Sequence, residues 1–269
     1  MCAKLTHVIS RLVPPGPVKE GLRSCYYGLY YNAKHSADNG FRVYYGGGSF
    51  EYRFAGGISF RSRENFSDEL KRSLRGYLAK RPLKKGDTVV DCGAYVGEFT
   101  LYAAAAVGPS GKVVAFEPDP EIFGKLEANI VLNGLGNVTA VPKGLWSADG
   151  ALKFVGDSVK GYSFIAADKD PAAIEVPVAS LDSELDRLGI GSVDFIKMDV
   201  EGAEIEAVRG ARRTLGSGAP ALAIASYHIV DGRKSHIELE KVLASFGYRA
   251  ETGHPGHITT YAEKKGGAK

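Results

Sequence analysis

Apolar and polar positions alternate most sharply between residues 88 and 120. Thr88–Val90 is a β-branched apolar run that Asp91 ends, and Gly93, Ala94 and Gly97 follow as a tight, sterically open turn. Glu98–Ala106 then carries a helix-like pattern, and a second apolar run, Val113–Phe116, has an acid at its tip, Glu117. Strand, glycine turn, helix and acid-tipped strand together open a nucleotide-type α/β fold. The alternation continues downstream. Pro120–Asn133 reads as a helix with Pro at its first position and Asn133-Gly134 as its stop. Val138–Val141, Val193–Met198 and Ala221–Ser226 read as further sheet strands, the second ending at Asp199 and the third leading into Tyr227-His228. Ala151–Val155, Tyr162–Ile165 and Ile174–Val178 look like short antiparallel additions, and Leu181–Leu188 and Gly202–Val208 like helices. Ser235–Phe246 is amphipathic, and Tyr248–Glu251 with Ile258–Glu263 would close an antiparallel edge.

Residues 1–75 follow a different rhythm. Leu5–Val13 suggests a short basic helix that Pro14, Pro15 and Pro17 stop. Leu22, Tyr26, Leu29 and Tyr30 then form a helical apolar stripe flanked by Lys19, Arg23 and Lys34. A helix covering the following domain is the simplest reading; contact with a membrane surface, or stacking of tyrosines on carbohydrate, are the alternatives. Phe41–Tyr45 and Ser49–Phe54 form a hairpin around Gly46-Gly47-Gly48. Asn65 or Ser67 would cap a helix over Asp68–Ala79, with Leu70, Leu74, Tyr77 and Leu78 on one face. The expected organisation is an N-terminal lobe, 1–69, and an α/β domain, 70–269.

Composition narrows the classes. A chain of 269 residues, 44% hydrophobic, can bury one sizeable core with a small extra lobe. With 34 basic against 31 acidic residues, the net charge of +3 gives no ground for a nucleic-acid partner. Cys2, Cys25 and Cys92 have no metal-like spacing and cannot all pair, so a reducing cytoplasm is the expected compartment. No run of about 20 apolar residues suggests a membrane span, and the start of the chain has no long apolar core of the signal-peptide kind.

In an open parallel sheet, ligands gather beyond the carboxyl ends of the strands. That rule brings Asp91, Glu117, Lys143, Asp199 and His228 to one rim. A dinucleotide site would need G-x-G-x-x-G for its pyrophosphate; here the turn is G-x-x-x-G, and Asp91 at its mouth would repel phosphate. An acid there suits a cationic ligand, such as the ammonium and sulfonium of S-adenosylmethionine. The plainer reading is that Gly93 and Gly97 only shape a βα turn.

The segments VVDCGAYVGEFTLYAA, VVAFEPDPEIFGKLEANIVLNGLGNV, SLDSEL and DFIKMDVEGAEIEAVRGARRTL, in this order over roughly 89–215, resemble the FkbM-type S-adenosylmethionine-dependent methyltransferases. The resemblance implies a Rossmann-like fold with a seven-stranded, mostly parallel sheet and an antiparallel edge. It also implies hydroxyls of sugars and natural products as acceptors. Residue by residue, it assigns Asp91, Gly93, Ala94, Tyr95 and Gly97 to the cofactor loop and Glu117 to the adenosine ribose. Pro118 and Asp119 would border the adenine, and Lys143–Trp146, including Gly144, would flank it, with Trp146 equally readable as core. Tyr95 stands where the family usually has Asn.

Asp199 ends a buried strand, where an acid costs desolvation unless a cation or a substrate proton meets it; capping the next helix is its plainer role. Glu201 is grouped with the cofactor residues, although it and Glu204 would also suit the positive end of a helix. His228 is the expected general base, because histidine titrates in the useful range; a buried structural histidine is the alternative. Ser226 replaces an acid that many relatives carry two residues before this histidine. That departure weakens both a carboxylate–histidine relay and a divalent-ion site on Asp199, Glu201 and His228, so no metal is expected. His254 and His257 read as loop residues near the rim, and Arg53, Arg61 and Arg63 as strand-edge residues able to hold an acceptor's phosphate or carboxylate.

The expected activity is O-methylation of a hydroxyl on a sugar, glycolipid or natural product, with a small-molecule or lipid-linked acceptor and possible peripheral membrane contact. Methylation of nitrogen or a carboxylate is the nearest rival. A nicotinamide-dependent oxidoreductase and a non-catalytic binding protein are the others.

Overall fold

A computed structural model describes residues 14, 16–157, 162–165, 173–230, 232–253 and 257–264. The helix expected over Leu5–Val13 and the residue His254 lie outside them. The chain forms two compact units, Met1–Lys71 and Arg72–Lys269. Among the described residues no helix is long and apolar enough to cross a membrane.

In the first unit, helix α1 (Pro17–Cys25), a π-helical turn (Tyr26–Tyr31) and helix α2 (Asn32–Asn39) precede strands β1 (Phe41–Gly46), β2 (Ser49–Phe54) and β3 (Ser59–Ser62). The strands pair antiparallel in the order β1-β2-β3. Gly47 and Gly48, at φ 58° and 75°, close the β1–β2 hairpin as a two-residue loop that follows the strands' own twist. Phe41, Val43 and Tyr45 alternate inward with Phe50, Tyr52 and Phe60, and Tyr52 stacks on Phe66 at 4.9 Å between ring centres. Asn32 joins helix to strand, its side chain bonding both the N–H (2.7 Å) and the C=O (2.8 Å) of Val43. The stripe expected at Leu22, Tyr26, Leu29 and Tyr30 is not the buried face. Tyr26 and Tyr27 are buried, whereas Leu22, Leu29 and Tyr30 are exposed. The π turn adds a residue to the helical repeat and rotates the apolar face out of its α-helical register. Arg53 pairs with Glu51 (2.9 Å) and lies over the Tyr44 ring, and Arg61 and Arg63 are also partnered.

Helix α3 (Ser67–Tyr77) leads into the second unit, whose sheet strands are β4 (Thr88–Cys92), β5 (Lys112–Phe116), β6 (Val138–Val141), β11 (Phe195–Met198), β12 (Ala221–Ala225), β15 (Tyr248–Gly253) and β16 (Thr259–Lys264). Their order is β15-β16-β12-β11-β4-β5-β6. β12, β11, β4, β5 and β6 run parallel. β16 runs antiparallel to both of its neighbours, and with β15 outermost the two strands form the expected antiparallel edge. Between β6 and β11, strands β7 (Gly144–Leu145), β8 (Gly150–Asp157), β9 (Tyr162–Ile165) and β10 (Ile174–Ala179) make a separate four-stranded sheet. The remaining helices are α4 (Glu98–Val107), α5 (Pro120–Leu132), α6 (Leu181–Arg187), α7 (Glu204–Arg209), α8 (Arg212–Ser217) and α9 (His236–Ser245), with two short strands, β13 (Ile229–Val230) and β14 (Arg233–Lys234), before α9.

The period-two pattern divides the core between two faces. Val90, Val114, Ile196 and Ile224 pack with α6, α7 and α9 on one side, and Val89, Val113, Phe195 and Ala223 pack with Phe99, Ala103 and Val107 of α4 on the other. Strand order reverses between β4, which proceeds to β5 and β6, and β11, which proceeds to β12. A crevice at the carboxyl ends of β4 and β11 is where such a sheet takes its ligand.

Gly93 fits that crevice tightly. It has φ 76°, and a Cβ built there would lie 1.9 Å from the carbonyl oxygen of Asp199. Gly93→Ala is therefore expected to lower the melting temperature and destroy the turn. Gly124→Ala, in α5 with nothing within 4 Å of the new methyl, should be neutral or raise stability by up to about 1 kcal/mol. Parallel thermal melts check the contrast, and equal melts would show that the β4 turn is not held against β11.

Candidate active site

The loop after β4 wraps the tip of β5. The N–H groups of Gly93 and Ala94 both donate to the Phe116 carbonyl, at 3.0 and 2.9 Å. Tyr95, at φ 51°, turns its own N–H onto Glu117 Oε2 (2.9 Å), and the Asp119 N–H reaches Glu117 Oε1 (3.0 Å). Gly97, at φ 99°, then starts α4, and a side chain there would strike Leu126. Each Glu117 oxygen accepts one backbone N–H and keeps a further lone-pair direction, the arrangement that suits two neighbouring hydroxyls. Glu117 is 6% exposed. Burial raises its pKa to about 7, against the lowering effect of the two N–H bonds.

Asp91 is not at the mouth. It is 0% exposed, its Oδ1 is 2.9 Å from Lys197 Nζ, and its Oδ2 accepts from Thr100 Oγ1 at 2.6 Å. Asp91 and Lys197 are register partners on β4 and β11 and point to the same face of the sheet, so the acid's charge is met inside the protein. Lys197 also donates to the Gly93 carbonyl at 2.6 Å. Burial alone would lower the lysine's pKa, but Asp91, Asp199 and Glu98 outweigh it and hold the ammonium well above its ordinary range. The expectation that Asp91 meets a cationic ligand is thus corrected: its counter-ion is Lys197, and the pair anchors the loop from below.

Other residues expected around an adenine divide. Asp119 caps α5, its Oδ1 accepting from the N–H groups of Glu121 (2.9 Å) and Ile122 (3.1 Å). A Cβ on Gly144 would come within 3.6 Å of Pro118 Cβ, which places these two side by side. The Lys143 ammonium pairs with buried Glu184, so its side chain is turned to α6 and not to the rim. Trp146 packs against Phe154, Val176 and Val178, in the core of the smaller sheet.

The ends of β11 and β12 bring a second group together. Asp199 does not cap α7, which has no side-chain cap. Its Oδ2 accepts from Tyr77 Oη at 2.8 Å, and Tyr227 Oη lies 3.2 Å from both carboxylate oxygens. Tyr77 Oη is also 3.3 Å from His257 Nε2, so His257 joins the cluster and is not a free loop residue. His228 stands between three acids. Nδ1 is 2.9 Å from Glu204 Oε1, and Nε2 is 3.1 Å from Glu201 Oε2 and 3.7 Å from Asp199 Oδ1. Glu204, 0% exposed, is oriented by the N–H groups of Val200 and Gly202, both 3.2 Å from its Oε1. Burial would push the imidazole's pKa down, yet Glu201, Glu204 and Asp199 outweigh it and raise it to about 10. The surrounding acids favour the imidazolium form in the free protein. That preference works against the general-base role expected of it.

Tyr77, Tyr227, Glu204 and Lys197 are site residues that sequence reasoning did not assign. Only the D-x-E-G-x-E spacing after β11 hinted at Glu204.

The sheet order, the reversal between β4 and β11, and a glycine turn gripped by an acid at the tip of β5 define a Rossmann-like fold of the methyltransferase type. The chain belongs to the FkbM methyltransferase family: the model for the methyltransferase FkbM domain matches residues 91–250. Among curated proteins it is 30% identical over 154 residues to methyltransferase sdnD of Sordaria araneosa, covering 45% of this chain and 59% of that protein. It is 31% identical over 150 residues to methyltransferase 1 of Beauveria bassiana, covering 48% of this chain and 60% of the relative. The matches thus span about three-fifths of the length of these relatives. A solved FkbM methyltransferase from Methylobacillus flagellatus shares the fold, with a TM-score of 0.53 and 21% identity over 69% of this chain and 45% of that one.

Proposed function

We propose that the protein transfers a methyl group from S-adenosylmethionine to a hydroxyl of a sugar, glycolipid or natural product. The observation that carries the reading is Glu117, a carboxylate fixed by two backbone N–H groups at the tip of β5 beside the glycine turn. It presents two acceptor positions suited to the donor's ribose, and Gly93, Ala94, Tyr95 and Gly97 form the turn in which the rest of the donor lies. The rim at Asp199, Tyr227 and Glu201 receives the acceptor. Transfer is an in-line displacement in which the S–CH3 bond breaks, its electron pair stays on sulfur, and the new bond forms to the hydroxyl oxygen. The enzyme's share is alignment and removal of the hydroxyl proton. That proton goes to the Asp199–Glu201 carboxylates, which His228 holds in place. Acceptor selection is assigned to residues 1–69, which carry seven of the chain's 14 tyrosines in about a quarter of its length and are unlike the rest in pattern.

The test uses methyl-labelled donor with a panel of sugars, glycolipids and polyhydroxylated natural products. The expected result is label on acceptor oxygen, with turnover about 100-fold lower in Asp199→Asn and donor affinity unchanged within a few-fold. Donor binding without transfer to any hydroxyl, or nicotinamide cofactor bound in its place, would overturn the reading.

A further inference from the structure

We infer that Asp199, Glu204 and His228 form a binding site for one divalent cation of the Mn2+ or Zn2+ kind. One ligand atom from each lies within 4.8 Å of the other two. Acids alone gather on many surfaces, but two features set this group apart. Glu204 is 0% exposed, and while its Oε1 is fixed by two N–H groups, its Oε2 is buried with no hydrogen-bond partner. A charged oxygen buried in that way is costly unless something positive meets it. Both ring nitrogens of His228, in turn, are buried and lack aligned hydrogen bonds, although carboxylate oxygens stand 2.9 and 3.1 Å away. On binding, the ion would take the place of one ring proton, so that the imidazolium favoured in the free protein becomes a neutral ligand and a proton is released.

The donor set selects the ion. Two carboxylates and one imidazole are a mixed oxygen–nitrogen set, better matched to Mn2+ or Zn2+ than to Mg2+ or Ca2+, which favour oxygen alone. Metal–ligand distances of about 2.0–2.2 Å require the three donors to draw together. The groups that would steer them are present. Tyr77 and Tyr227 hydroxyls orient Asp199, and the Val200 and Gly202 N–H groups orient Glu204, the kind of outer support that metal ligands need. Its use in catalysis rests on the methyl-transfer reading, whereas binding does not. A cation at this rim would supply the positive charge that makes an acceptor hydroxyl easier to deprotonate. Glu201, the most open acid of the cluster, would then receive the proton.

The experiment titrates the chelator-stripped full chain with MnCl2, followed by electron paramagnetic resonance of free Mn2+, and with ZnCl2 by calorimetry. Expected are one ion per chain and at least about tenfold weaker binding in Glu204→Gln and in His228→Ala. Glu206→Gln, an acid of the same helix that pairs with Arg209, should leave binding unchanged. His228→Ala keeps the test open if Glu204→Gln does not fold. No uptake would show a closed imidazolium–carboxylate network, and uptake unaltered in His228→Ala would show an ion bound elsewhere; either overturns the site. Donor affinity measured on the same sample separates the two readings. Donor bound without cation refutes only the site proposed here, and cation bound without donor refutes only the methyl-transfer reading.

Discussion

Lys197→Met unfolds the α/β domain more readily than any surface change, with an expected loss of about 3–5 kcal/mol. The variant removes the partner of a carboxylate that is 0% exposed and has its counter-ion 2.9 Å away on the neighbouring strand. Methionine fills much of the lysine's volume, so the loss reports a stranded charge and not a cavity. The same change frees the Gly93 carbonyl that Lys197 holds at 2.6 Å, and donor affinity should fall with stability. Chemical denaturation checks the first effect. The double variant Asp91→Asn/Lys197→Met should regain most of the loss, because neither member of the buried pair then carries a charge. A wild-type midpoint in Lys197→Met would mean that the Asp91 charge is met by some other group.

Glu117→Ala is expected to weaken the donor about 100-fold and to lower the melt modestly, because the Tyr95 and Asp119 N–H groups lose their acceptor. Two hydrogen bonds from ribose hydroxyls to a carboxylate, at about 1.5 kcal/mol each, amount to about 3 kcal/mol, and each 1.4 kcal/mol is tenfold in Kd. The raised pKa adds a pH signature. With a value of about 7 in the free protein, Glu117 is protonated on the acid side and ionised above. A donor that prefers the carboxylate therefore binds more tightly as pH rises through 7 and reaches a plateau above it. Between pH 8 and pH 6 the affinity should drop by about tenfold, the proton having to leave before the ribose is gripped. Glu117→Gln should bind weakly and lose this dependence. Calorimetry at the two pH values decides the matter, and wild-type affinity in Glu117→Ala would remove the ribose assignment.

What could be read in the sequence follows from how local each signal is. The strands of the main sheet announce themselves by period two, and the turn at Gly93–Gly97 by its small residues, because both are set within a few positions. The rim was legible for the same reason: strand ends carry Glu117, Asp199 and His228, and the sheet rule gathers them. Orientation was not legible. FIKM reads as an apolar strand with one lysine, and nothing local says that the lysine faces Asp91 until β11 and β4 are in register. Asp119 before Pro120 has the form of a helix cap and is one, yet its place beside Glu117 drew it toward the ligand. Tyr77 meets Asp199 from 122 positions away, beyond any periodicity. The position of His228 just past β12 is legible, but the acids that favour its charged form come from another strand's exit and are not. The π turn, which moved the first unit's apolar face, depends on packing and leaves no spacing of its own.

The position of β16 bears on how the chain comes to be folded during synthesis. It is the last of the seven strands to leave the ribosome, yet it lies between β12 and β15. Until residues 259–264 have emerged, β12 presents a bare edge and β15 has nothing to pair with. His257, which meets Tyr77 at the site and lies just ahead of β16, is brought into place only with that strand. The nascent domain therefore carries an open seam beside its own site until its final segment slots in, and that interval is when it most needs shielding from neighbouring chains.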